Sequence, residues 1–215
     1  MRKIYFLAGV FILFLRSHLG LSAQISTFVG VEAKFNNSTQ LFYNPQKPLE
    51  GLYQAGNIQT FGIGFWGEKQ IFPFLSGIAR ISFLRKGSFD YDILTKDVFE
   101  NKYDYLDVDF IWCLKTRRRF IPNIYGGLHS GFVLNQKIVG EFHPNSANIE
   151  YVINEFTNFN RMSTGWVMGL KYALNNKFQV GMEMRRDLSP VISTFEFQMY
   201  NRVISLNISY ILMQL

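Results

Sequence analysis

A chain of 215 residues that is 48% hydrophobic and 17% aromatic, with one cysteine and a net charge of +6, has no internal disulfide to hold its fold. Without Arg2, Lys3 and Arg16 the charge falls from +6 to +3, and the cations left are scattered, which argues against nucleic-acid binding. No apolar run after residue 23 is long enough for a membrane helix, so a polytopic helical protein is excluded.

The N-terminus reads as a secretory signal peptide: Met1-Arg2-Lys3, an apolar run over 4–15, and the small-residue end Leu21-Ser22-Ala23. Removal of 1–23 leaves a domain over 24–215, and Cys113 lies too far downstream to be a lipoprotein anchor. Roughly 190 residues suit one domain. Eight candidate strands follow in order, at 25–35, 57–66, 74–86, 103–114, 123–135, 161–173, 177–186 and 201–212. Their connections alternate: 36–56, 87–102, 136–160 and 187–200 are long, while 67–73, 115–122 and 174–176 are short. An even strand count with long loops at one end and short turns at the other is the pattern of a bacterial outer-membrane barrel.

The hairpin over 161–185 shows the period most plainly. Met162, Thr164, Trp166, Met168, Leu170 and Tyr172 share one face, as do Phe178, Val180, Met182 and Met184 after the turn at Asn175-Asn176. A soluble lipocalin-type barrel has the same period with the apolar face inside. Glycine separates the two. Gly30, Gly62, Gly64, Gly127, Gly131, Gly165, Gly169 and Gly181 sit on the polar parity of their strands, beside the charges. A narrow lumen needs small residues between paired charges, whereas a solvated outer face does not. The expected fold is therefore all-β: an eight-stranded antiparallel up-and-down transmembrane β-barrel, with long extracellular loops and short periplasmic turns. Phe65, Trp112, Tyr172, Phe178 and Tyr210 would form the periplasmic aromatic girdle, and Phe35, Phe83 and Phe132 the outer one, with Trp166 at mid-strand.

The segment Tyr105-Leu106-Asp107-Val108-Asp109-Phe110, the basic turn Leu114-Lys115-Thr116-Arg117-Arg118-Arg119, and then Pro122 and Gly126-Gly127 resemble the PorT-like outer-membrane barrel family of Bacteroidota. The strand over 178–186 and Asn201-Arg202-Val203-Ile204-Ser205-Leu206 are similar to the same family, so the resemblance spans 24–215. It implies an outer-membrane barrel accessory to protein secretion by the type IX and gliding machinery, or to envelope assembly. Outer-membrane lipid and secretion-machinery proteins, periplasmic or outer-membrane, would be its partners. The chain departs from the family at Asp109, where proline is usual, and in ending Tyr210-Ile211-Leu212-Met213-Gln214-Leu215 rather than on an aromatic.

Candidate chemistry is sparse. His129 and Ser130 are adjacent, but neighbours on a strand point to opposite faces, so they make a poor nucleophile and base. His143 and Cys113 have no partners at metal-ligand spacing, and no cofactor motif occurs. Glu32, Lys34, Arg80, Asp107, Asp109, His129, Lys171, Glu183 and Arg185 share the lumen parity, and their expected role is a charge network. Lys115, Arg117, Arg118 and Arg119 form a basic turn at the periplasmic rim, either a docking site for an acidic partner or a solvated turn. The expectation is a non-enzymatic outer-membrane protein; a lipid-modifying enzyme of the envelope and a soluble periplasmic carrier are the alternatives.

Overall fold

The computed structural model describes residues 26–43, 53–91, 98–116, 121–141, 160–193 and 198–215; the signal segment read at 1–23 lies outside them. Ten strands form: β1 (Thr27–Tyr43), β2 (Tyr53–Gln54), β3 (Ile58–Phe72), β4 (Leu75–Tyr91), β5 (Val98–Leu114), β6 (Asn123–Glu141), β7 (Met162–Ala173), β8 (Phe178–Asp187), β9 (Ile192–Ser193) and β10 (Gln198–Gln214). Eight of them make the wall in the order β1-β3-β4-β5-β6-β7-β8-β10, each antiparallel to its neighbours. β10 returns to β1 from Phe28↔Gln214 to Tyr43↔Gln198, which closes the sheet. Closure pairs the backbone groups that an open sheet would leave at its edges. The two-residue strands β2 and β9 add to the upper ends of β1 and β10.

The eight wall strands correspond to the eight predicted, but all except β7 and β8 are longer, and two corrections follow. Most extend away from the end where β1 starts and β10 finishes: β1 runs to Tyr43, β4 to Tyr91 and β6 to Glu141, into segments read as loop. There the apolar–polar alternation fades, yet inward side chains still tie the strands. Ser38 Oγ accepts from Gly87 N (2.8 Å) and donates to Gly87 O (3.0 Å), and Gln40 Nε2 donates to Asn201 Oδ1 (3.2 Å). The second correction lies at the other end, where β3 continues to Phe72 and only Pro73-Phe74 separates it from β4.

The turn read at Asn175-Asn176 spans 174–177 and is held by a side chain. Asn175 Oδ1 accepts from the backbone N of Lys177 and of Phe178, both at 2.8 Å, an Asx arrangement that needs no left-handed residue. Between β5 and β6, Thr116 N donates to Asn123 Oδ1 (2.9 Å) and Thr116 Oγ1 to Ile121 O (2.6 Å).

Side chains alternate between the two faces of the wall, except where the register shifts beside Gly30, Phe72 and Tyr105. Outward stand Phe61 (75% exposed), Ile63, Phe65, Trp112, Leu128, Met168, Met182, Leu206 and Ile208. On β5 the outward face is apolar from Leu106 to Leu114 and on β10 from Ile204 to Leu212, about the 9–11 residues of a bilayer-crossing strand. Inside, Trp66, Ile78, Ile111, Cys113, Tyr125 and Val167 pack near the short-turn end, and Tyr103, Tyr105, Val191 and Met199 near the other. Charged side chains fill the space between these two clusters.

Candidate functional site

Arg185 on β8 stands at the centre of the lumen with 1% of its side chain exposed. Its Nε donates to Glu183 Oε1 (2.6 Å), Nη1 to Asp107 Oδ2 (2.8 Å) and Asp109 Oδ1 (3.0 Å), and Nη2 to Asp109 Oδ2 (2.7 Å). Period two lets one strand supply both partners of a pair, Glu183 and Arg185, while Asp107 and Asp109 face them from β5. Arg80 on β4 approaches from a third side: Nε donates to Asp109 Oδ2 (2.6 Å), Nη1 to Glu32 Oε2 (3.4 Å), and Nη2 lies 2.6 Å from Glu183 Oε2. Lys34 Nζ bridges Glu32 and Glu183 at 3.0 Å each, and Tyr125 Oη donates to Glu183 Oε2 (2.9 Å).

Two satellites flank this centre. Towards the long-connection end, Lys86 Nζ lies 3.0 Å from Asp107 Oδ2 and 4.2 Å from the centre of the Tyr105 ring, while Asp187 Oδ1 is 3.3 Å from His129 Nε2. Asn201 Nδ2 donates to Asp187 Oδ2 (2.8 Å) and to Tyr105 Oη (3.0 Å). Towards the short-turn end, Glu68 takes Lys115 (2.9 Å), Lys171 and the Ser76 hydroxyl (2.7 Å). Six carboxylates (Glu32, Glu68, Asp107, Asp109, Glu183, Asp187) therefore meet six cations (Lys34, Arg80, Lys86, Lys115, Lys171, Arg185) among the described residues. Charges this deeply buried persist because each is compensated.

Small residues make the room. A Cβ on Gly169 would fall 2.5 Å from Tyr125 Cζ, and one on Gly30 would fall 2.5 Å from Trp66 Cζ2, whose ring nitrogen donates to Val31 O (3.3 Å). What space remains is slight. A cavity of about 40 Å³ lies between Glu32, Trp66, Arg80, Tyr125, Lys171 and Asn207, room for a few waters and far below the size of an organic-ligand pocket.

All nine residues assigned to the lumen face it, although Lys171 belongs to the Glu68 satellite and does not reach the aspartates. Glu68, Lys86 and Asp187 were missed. Glu68 and Asp187 fell in segments read as turn and loop, yet each continues the inward parity, two residues beyond Trp66 and Arg185. Lys115, read as part of a basic docking turn, points instead to Glu68 and lies 5.3 Å from the centre of the Phe28 ring. Arg117, Arg118 and Arg119 lie outside the described residues. Ser130 lies on the parity opposite to His129, which is 2% exposed. Asp107, Asp109 and His129 bring three ligand atoms within 4.8 Å of one another. The carboxylates are already bound by Arg80, Lys86 and Arg185, so an added cation would sit against three others.

No family model and no curated relative matches the chain. Among solved structures it is similar to Ail, the attachment invasion locus protein of Yersinia pestis, in complex with the heparin analogue sucrose octasulfate: 9% identity, 90% of this chain and 100% of that one covered, TM-score 0.46. It is similar also to Neisserial surface protein A, at 9% identity, 84% and 96% coverage and TM-score 0.46. The outer membrane protein OprG from Pseudomonas aeruginosa matches at 8% identity, with 89% and 95% covered and TM-score 0.42. At such identities the likeness does not reach individual side chains.

Proposed function

We propose that this chain is an integral outer-membrane β-barrel, anchored by its wall and closed to diffusion by its lumen, which acts through the surfaces at its ends and without chemistry of its own. The observation that carries the reading is the sense of its two faces. Phe61 is 75% exposed and Leu128 66%, while Lys34 and Arg185 are each 1% exposed. In water this arrangement would leave a continuous apolar band unburied; in a bilayer it is the expected one. The carrier alternative needs an apolar calyx, and the lumen is lined by ion pairs instead. The short turns, the start of β1 and the finish of β10 share one end of the barrel, which supports a periplasmic place for that end and an exterior one for the longer connections.

The finer reading follows from the resemblance to PorT-like barrels: an accessory component of type IX secretion or of envelope assembly, with partners met at a rim. Its non-enzymatic character is supported by His129, which is buried and faces Asp187 rather than a hydroxyl nucleophile, with Ser130 on the opposite parity. Deleting the gene is expected to strand secreted cargo in the periplasm. Normal delivery of surface proteins would remove the export role and leave the barrel reading intact. In planar bilayers the purified protein is expected to show no steady conductance, and stepwise openings would contradict the closed lumen.

A further inference from the structure

The apolar outer face ends on a polar border at the exterior side: Asn37 on β1, Gln59 on β3, Arg85 on β4, Asp104 on β5, Thr164 on β7, Arg186 on β8 and Arg202 on β10. Arg85 is neutralised there, its Nε and Nη2 donating to the two oxygens of Asp104 at 2.7 and 3.2 Å. Arg186 and Arg202 are not. They are direct register partners across β8 and β10, both on the outward parity and both half-buried, and neither has an ion-pair partner among the described residues. Their outward neighbours on these strands and β7 are Thr164, Trp166, Met184, Leu188, Tyr200 and Ile204, with no carboxylate among them.

Like charges directly opposite in a sheet repel, with side chains starting only about 5 Å apart. The arrangement is stabilising only if an anion is shared between the two forks. We infer that Arg186 and Arg202 form a site for the phosphate of an outer-leaflet glycolipid, whose acyl chains lie down the adjoining apolar wall. The chemistry fits on three counts. Two guanidinium groups suit a phosphate, which accepts bidentate hydrogen bonds from each. The pair stands at the outer border of the lipid-facing band, at headgroup level. Directly below it Met184, Met182, Ile204 and Leu206 offer an apolar track for the chains. Trp166, in register with Arg186, adds an aromatic ring at the same border, where amphipathic rings are favoured.

The site rests on the membrane-barrel reading, and one experiment separates the two. The full barrel is folded into nanodiscs containing lipid A with its phosphates, and released for native mass spectrometry. One retained lipid is expected on the wild type, with retention falling about tenfold in R186A/R202A, and likewise when the phosphates are removed from the lipid. The control R85A/D104A is expected to retain lipid as the wild type does. Equal retention by R186A/R202A, or of dephosphorylated lipid by the wild type, overturns the site. Millimolar inorganic phosphate is expected to leave retention unchanged; displacement would mean that free phosphate is the ligand, and overturns the lipid assignment. The heat-modifiable gel shift of a folded barrel is read on every sample. Its absence from the wild type would sink the membrane reading itself. Should R186A/R202A alone lose it, the single variants R186A and R202A carry the comparison, and undiminished retention by both overturns the site.

Discussion

Arg185 shows how one side chain can set the state of several others. Four contacts at 3.0 Å or less join it to Glu183, Asp107 and Asp109, all of them buried carboxylates. Substituting Arg185→Met is therefore expected to destabilise the folded barrel by about 3–5 kcal/mol, the cost of leaving buried carboxylates uncompensated. Urea titration of the barrel in lipid vesicles measures it. Adding Asp109→Asn to that variant is expected to recover part of the loss, because the second change removes one of the stranded charges. A double variant whose loss equals the sum of the single losses would mean that the two side chains act independently. The border arginines illustrate the opposite case, a repulsion the fold leaves open.

At the level of strands, the joint between β1 and β10 decides whether the sheet is a barrel at all. Its register places the outward residues Ala33 and Ile208 opposite one another, with Phe35 opposite Leu206. Ala33→Cys with Ile208→Cys is expected to form a disulfide under mild oxidation, visible as a mobility change on a non-reducing gel, whereas Ala33→Cys with Ile204→Cys is not. Cross-linking of the second pair in preference to the first would show a different closure. The strands themselves were legible wherever one face met lipid, since alternation there is nearly unbroken, as from Met162 to Tyr172. Where a strand leaves the apolar band, apolar and polar residues mix on both faces and the signal vanishes, although the ladder continues through Ser38, Gln40 and Ser88. Glu68 and Asp187 were lost with those strand ends, and Trp166, read as mid-strand, stands near the outer border as the register partner of Arg186. The charge pairings were readable only in part: Asp107 and Asp109 were expected to answer Arg80, Lys171 or Arg185, and Lys171 meets Glu68 instead. Parity says that Asp107, Asp109 and Arg80 look inward, but which meets which depends on the stagger of strands around the barrel.

For the molecule as a whole, the test of orientation is which tryptophan meets lipid. Trp112 stands outward at 58% exposure and Trp66 inward at 5%. In vesicles of brominated lipid, a variant keeping only Trp112 is expected to lose most of its fluorescence, and one keeping only Trp66 to lose little; the reverse would place the apolar face inside. The ion-pair lattice has one more consequence. Seven of the eight wall strands supply titratable groups to it, and β10 adds Asn201, so apart from same-strand pairs such as Glu32–Lys34 and Glu183–Arg185 the lattice has no local version. Lys34 meets Glu183 across 149 positions of sequence, and Arg80 finds Asp109 only once β4 and β5 are side by side. A chain still curling into the membrane, with β1 and β10 apart, carries bare charges on the face it has yet to enclose. Assembly should accordingly be an all-or-nothing event, in which partly rolled sheets are expelled or reopened and the completed cylinder, once latched, comes apart slowly.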